Sequence, residues 1–124
     1  MPYTDAAKNL MLAALAGTNP TTPITHVSLH SGDPGSNGAN ELTGGSPAYA
    51  RQEIAFNAPS GGSMDDSTNG AEFDVPASTT VAYVGFWSAA TSGTFLASKQ
   101  LASSEVFAGQ GTYTLTDADL DLNA

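Results

Sequence analysis

The sequence predicts a mainly β fold: an antiparallel β-sandwich or small barrel, jelly-roll-like, carrying one N-terminal α-helix. Three observations support that reading. From residue 24 onward, apolar and polar residues alternate in short runs, the period-2 signature of strands. Clusters of Gly, Asn, Asp and Ser separate those runs at close spacing, as turns between short strands require. Only in the first seventeen residues does the apolar spacing take the helical period.

Ala7, Leu10, Met11, Ala14 and Leu15 follow the i, i+3, i+4, i+7, i+8 pattern, which predicts a helix over 5–16 with one apolar face. Thr4 is placed to cap its start, Asp5 suits the positive end of the helix dipole, and Gly17 suits the C′ position. Asn19-Pro20-Thr21-Thr22-Pro23 stops the helix, and its two prolines make a stiff arm able to hold the helix away from the sheet. The chain therefore divides into a helix and arm at 1–23 and a single β domain at 24–124. Leu12 lies off the apolar stripe, so the helix carries more apolar surface than one sheet face needs. Symmetric self-association would bury that surplus repeatedly. This predicts a homo-oligomer, a trimer first, with Leu10, Met11 and Leu15 as contact residues.

Strands are predicted at 24–30, 49–56, 71–75, 80–88, 94–100, 104–107 and 111–116. In the first, Thr25, Val27 and Leu29 share one parity and His26, Ser28 and His30 the other, which predicts a half-buried strand. Asp33-Pro34-Gly35 turns the chain, as do Gly44-Gly45, Gly61-Gly62, Asn69-Gly70, Ser92-Gly93 and the segment 109–111. Val81 to Trp87 is apolar on both parities and reads as a central strand covered on both faces. Phe86, Trp87 and Phe95 sit on the most apolar strands and read as core.

Composition narrows the function. Three cations (Lys8, Arg51, Lys99) face twelve carboxylates, for a formal charge of −9. Nucleic-acid binding needs basic residues that displace counterions, so no nucleic-acid partner is expected. An anionic membrane surface is disfavoured for the same reason, and no apolar stretch approaches a membrane span. The apolar run from Leu10 to Ala16 follows an acidic segment rather than a basic one, which argues against an export signal. Without cysteine, thiol chemistry is excluded.

No constellation for catalysis, cofactor binding or metal binding is complete. His26 and His30 share a strand face but lie roughly 13 Å apart at ~3.3 Å per residue, too far to chelate one ion. The loop that begins at Asp33 matches a calcium loop at Asn37 and Gly38, but Gly35 and Gly44 stand where carboxylates are needed. Asp117, Asp119 and Asp121 alternate along one face of a terminal segment, with Leu122 where a loop glycine would be required. The serines form no G-x-S-x-G elbow, and no Gly pair leads into a phosphate-binding helix. Arg51 stands out among so few cations. Beside Tyr49 and Glu53, and sharing parity with Glu53, it is expected to make a specific carboxylate pair.

The runs SLHSGDPGSNGANEL and YARQ, then Phe56, Gly61-Gly62 and VGFWSAATSGTFLAS, resemble a family of small structural proteins of tailed bacteriophages. Its members carry labels such as tail fibre, minor structural or head decoration protein. The resemblance spans about residues 6 to 115. It implies a non-enzymatic virion protein, assembled in the host cytoplasm, whose partners are the major capsid protein or tail proteins. Because YARQ belongs to the resemblance, Arg51 is expected to fix the long 31–48 loop. A compact acidic domain without fibrous repeats favours capsid decoration or cementing through symmetric contacts. A tail or tail-fibre component is the alternative. A third reading is a carbohydrate- or receptor-binding β-sandwich using Tyr49, Tyr83 or Trp87 as stacking surfaces.

Overall fold

The computed structural model describes residues 2–18, 22–66, 71–116 and 118–122. Among the described residues one helix, α1 (Asp5–Leu15), precedes eight strands: β1 (His26–His30), β2 (Gln52–Glu53), β3 (Ser63–Met64), β4 (Ala71–Val75), β5 (Thr79–Trp87), β6 (Phe95–Phe107), β7 (Gly111–Leu115) and β8 (Leu120–Asp121). All strand pairs are antiparallel. They form a four-stranded sheet ordered β2-β1-β5-β6 and two ribbons, β3-β8 and β4-β7. The fold is thus mainly β, a sandwich with an N-terminal helix and not a closed barrel. The turn expected at Asn69-Gly70, residues 19–21 of the arm and Asp117 lie outside the described residues.

The organising element is a bent hairpin. β4 runs into β5 through Pro76-Ala77-Ser78, and β6 runs into β7 through residues 108–110. Because β5 pairs with β6 and β4 with β7, the two long arms 71–87 and 95–115 stay side by side around a corner. Ser78 N–H closes that corner on Ala108 O at 3.3 Å. One half of the hairpin joins the four-stranded sheet and the other becomes the β4-β7 ribbon. The core contains Val27, Leu29, Val84, Phe86 and Ala97 of the sheet, with Phe73, Val75 and Leu115 of the ribbon and Leu120 of β8. Each large apolar side chain buried there contributes roughly 1.5–3 kcal/mol.

Several predicted elements change shape for identifiable reasons. The segment 49–56 pairs with β1 only through Gln52 and Glu53, opposite Val27 and His26, and Phe56 makes a separate bridge to Asp66. The segments 94–100 and 104–107 are one strand, because Tyr83 pairs with Gln100 while Val81 pairs with Glu105. Residues 101–104 therefore bulge from β6, bending the sheet edge without ending the strand. β1 is not half-buried. Ser28 and His30 on its polar face are as completely buried as Val27 and Leu29 on the other.

The helix is docked on the sheet, not held away from it by the proline arm. Tyr3 bridges Ala97, Thr4 N–H donates to Leu96 O at 2.9 Å, and Ser98 N–H donates to Pro2 O at 3.0 Å. A short N-terminal strand thereby covers the first part of the β6 edge. The Thr4 hydroxyl accepts the Ala7 N–H, capping the helix, and also donates to Phe95 O at 2.8 Å. One side chain starts the helix and fastens it to β6. Ala7 is the buried helix residue, Leu10 and Met11 are half-buried, and Leu12 and Leu15 remain exposed.

Candidate functional site

The polar face of β1 is roofed by the loop 31–48, and the residues that hold the roof form one connected cluster. Trp87 Nε1–H donates to Ser28 Oγ at 2.8 Å, and Ser28 Oγ lies 2.6 Å from His30 Nε2. His30 Nδ1 lies 2.8 Å from Ala39 O. A carbonyl only accepts, so His30 donates through Nδ1, and an indole N–H only donates; a neutral imidazole, which burial favours, then sets the direction of the middle bond. Nδ1 carries the proton to Ala39 O, Nε2 accepts from the Ser28 hydroxyl, and Ser28 accepts from Trp87. Such a chain is complete only with a neutral imidazole.

The second half of the cluster is built on Arg51. Its guanidinium grips Glu41 in two places, Nε to Oε2 and Nη2 to Oε1, both at 2.9 Å. Nη1 donates to Ala89 O at 3.1 Å and Ser92 O at 2.9 Å in the β5–β6 turn. The planar group lies 3.6 Å from the Trp87 ring centroid, and Phe95 meets the indole at 4.9 Å between ring centroids. Arg51 thus joins the loop carboxylate, the hairpin turn and the indole at once, a combination of fork and flat face that lysine lacks. The expected carboxylate partner Glu53 is corrected to Glu41. Glu53 is exposed at the end of β2, opposite His26.

Tyr49 completes the attachment. Its hydroxyl donates to Glu41 Oε2 at 2.8 Å and accepts the Leu29 N–H at 3.0 Å. Leu29 O accepts from Leu42 N–H at 3.1 Å. With β2 paired only to His26 and Val27, a tyrosine hydroxyl and a loop amide serve the backbone of Leu29.

Two glycines set the tightness of the cluster. A Cβ on Gly85, which pairs with Ser28, would sit 2.6 Å from Ser28 Oγ, 2.7 Å from His30 Nε2 and 2.9 Å from Phe95 Cε1. Gly38, at φ +77°, presses its backbone on the indole, where a Cβ would come within 2.4 Å of Trp87. Gly85→Ala is expected to cost about 1–3 kcal/mol in urea unfolding, by overpacking a site with no slack. Parent-like stability would show that the strands separate easily.

Burial lowers the basicity of His30, against the opposing hydrogen bond to Ala39. Burial alone would raise the Glu41 carboxyl, but the hydrogen bonds from Arg51 and Tyr49 and the guanidinium charge outweigh it. The net shift of Glu41 is downward. Burial also pushes the Tyr49 hydroxyl well above its ordinary value, so it stays protonated. Both the His30 and Glu41 shifts give the same sign of pH dependence, because the unfolded chain binds more protons than the folded one. Stability from His30 is full above its ordinary 6.5 and is lost as pH falls through its lower folded value. Glu41 adds a further loss below its ordinary 4.5. Melting temperature should therefore begin to fall just below pH 6.5. A flat profile from there to pH 4.5 would disprove the coupling to His30.

Ser28 beside His30 has the elements of a nucleophile and base, yet both are fully buried and Ser28 Oγ is occupied by the indole N–H. Substrate has no approach to that oxygen, and the arrangement fastens a loop. Among the described residues no group of three or more His, Cys, Asp or Glu could hold a metal ion. Asp33 Oδ1 instead accepts the N–H of Gly35 at 2.9 Å, an Asx turn. His26 bonds Thr25 Oγ1 at 2.9 Å.

With Tyr49 turned inward and Trp87 only 7% exposed beneath Arg51, those two rings offer no stacking platform to a sugar. The candidate contact residues Leu10 and Met11 lie elsewhere, lining an apolar groove of about 480 Å³ between α1 and the β3-β8 ribbon. Leu15, at the same end of the molecule, is 85% exposed.

The clamp draws on the string that dominates the sequence: Ser28, His30, Gly38, Glu41, Tyr49 and Arg51, closed by Trp87. A family model described as Podophage GP4 fiber I protein gp80 matches residues 2–123. The chain belongs to that family. It is a phage structural protein, and the match takes in every residue of the clamp. No curated protein matches the chain. Within this fibre-family protein, Arg51 and Tyr49 come together with Glu41, whereas Glu53, Leu10, Met11 and Leu15 stand apart from them. Glu41 is the partner that sequence reasoning missed. It sits in a Gly/Asn/Ser-rich loop with no periodicity to mark it, and the scarcity of cations was the only signal pointing to some buried carboxylate.

Proposed function

We propose that the protein is a non-enzymatic subunit of the phage particle, placed in its fibre apparatus, and that it acts through symmetric contacts between copies and with neighbouring virion proteins. One observation carries the reading: the residues with chemical potential are spent holding the 31–48 loop against the sheet. Ser28, His30, Arg51 and Glu41 all point inward to fixed partners. A rigidified loop on a compact sandwich suits a building block that must present one surface shape. The family's description as a fibre protein supports the location. Capsid decoration is the second reading, favoured by the absence of fibrous repeats in the sequence.

Quantitative mass spectrometry of purified particles tests both. A low copy number in multiples of three supports a trimeric fibre component. A copy number in the hundreds moves the protein to the capsid surface, and its absence from particles overturns both readings.

A further inference from the structure

Residues 31–40 of the loop over β1 form a unit closed on itself. Ser31 N–H donates to Asn40 O at 3.0 Å, Asn40 Nδ2–H to Asp33 O at 3.0 Å, and Ala39 N–H to Pro34 O at 2.9 Å. Together with the Asp33–Gly35 turn, these bonds make an Ω-like loop that supplies its own partners. It meets the sheet through Ala39 O, which faces His30 Nδ1, and through Gly38 against the indole. Pro34, fully buried, adds an apolar contact to the closed form. Just past the unit, Glu41 and Leu42 are held separately, by Arg51, Tyr49 and Leu29 O. The unit can therefore part from the sheet with its internal hydrogen bonds and its base intact.

His30 lies fully buried beneath it, and histidine is the side chain whose charge changes near neutral pH. A second proton on the ring would make Nε2 a donor to Ser28 Oγ, which already accepts from the indole. The Ser28 hydroxyl hydrogen would then lose its acceptor, and the imidazolium would sit without water. Tyr83 faces the ring from β5, and Phe95 of β6 stands 6.2 Å away between ring centroids. Burial is the largest influence on the ring's charge and opposes it; the Ala39 carbonyl and Glu41 favour it, and Arg51 opposes it. Water can reach the ring by two routes. Parting β1 from β5 breaks a ladder of five residue pairs. Raising the 31–40 unit gives up only the Ala39 bond and the contacts of Gly38 and Pro34. The second route costs less.

We propose that residues 31–40 are a lid latched by His30, and that protonation of this one histidine lifts the lid off Trp87 and Ser28 while the four-stranded sheet stays folded. At neutral pH the lid is shut and the loop keeps a single shape. In mild acid it swings on its base beside Glu41, uncovering the indole and the polar face of β1. The lid is a property of the single chain and does not depend on the subunit's place in the particle.

Proton NMR of the full chain from about pH 7.5 to about pH 5 tests it. Gly38 lies on the indole, so its resonances carry a ring-current shift when the lid is shut. They should lose that shift in step with the titration of the His30 ring. Trp87, the chain's single tryptophan, should become more open to acrylamide quenching over the same range. The amides of Val27, Leu29 and Val84 should stay protected from exchange throughout. In His30→Gln, which keeps a donor and an acceptor but does not titrate, quenching should not change with pH, whereas His26→Gln should follow the parent. A Gly38 shift that survives the His30 titration overturns the lid, as does its loss only together with the sheet amides. A folded His30→Gln that still opens in acid overturns the latch. The resonance measurement needs no variant, so it decides even where His30→Gln does not fold.

Discussion

Replacing Trp87 with alanine is expected to lower the unfolding free energy by about 3–5 kcal/mol, enough to leave a marginally stable domain largely unfolded. The indole contacts every part of the clamp. Its N–H donates to Ser28, its face carries the Arg51 guanidinium, its ring meets Phe95, and Gly38 packs on it. Truncation leaves a void beneath the loop and removes the donor that orders the Ser28–His30 pair. Urea titration followed by far-ultraviolet circular dichroism is the measurement, because the variant has no tryptophan left to report. Trp87→Phe keeps most of the bulk and should lose less. Near-parent stability for the alanine variant would mean that the indole only decorates a roof held by other contacts.

Arg51→Ala carries the second largest expected effect, about 3 kcal/mol, toward the lower end for removing one partner of a buried ion pair. The side chains of Arg51 and Glu41 are only 9% and 19% exposed, so the remaining carboxylate would lie in a poorly solvated place without its cation. The loss should also carry a signature in pH. Burial pushes the Glu41 carboxyl upward and the Arg51 and Tyr49 contacts pull it down. Without the guanidinium the downward pull weakens, so the variant should lose less stability than the parent on acidification below pH 4.5. Arg51→Lys should restore little, since an ammonium cannot grip two carboxylate oxygens and lie flat on the indole together. Equal acid sensitivity in Arg51→Ala and parent would show that Glu41 is not held by this pair.

How much was legible in the sequence depends on whether a feature was local. The helix with its Thr4 cap and the strand at Ala71–Val75 were readable because cap chemistry and alternation lie within a few residues. The segment 49–56 alternates like a strand but pairs with β1 at only two residues, since the Tyr49 side chain takes the Leu29 N–H that a neighbouring backbone would otherwise receive. The two-residue strands Ser63–Met64 and Leu120–Asp121 are too short to show any period. The hydrogen bonds of His30 and the choice of Glu41 depend on a loop folding back over β1, which alternation does not record. The scarcity of cations drew attention to Arg51, while strand parity pointed to Glu53 and not to the loop carboxylate Glu41 that it meets.

The clamp also has a kinetic meaning. Its hydrogen bond from Trp87 to Ser28 spans 59 residues of sequence, and Arg51 reaches across 41 to Ser92. The Trp87–Ser28 bond needs β1 beside β5, and contacts of such sequence separation are expected to form late in folding. Interactions absent from the folding transition state hardly change the speed of folding and mainly retard its reversal. The clamp is then expected to set how long a finished subunit survives more than how fast it forms, which the unfolding rate of Trp87→Phe would test.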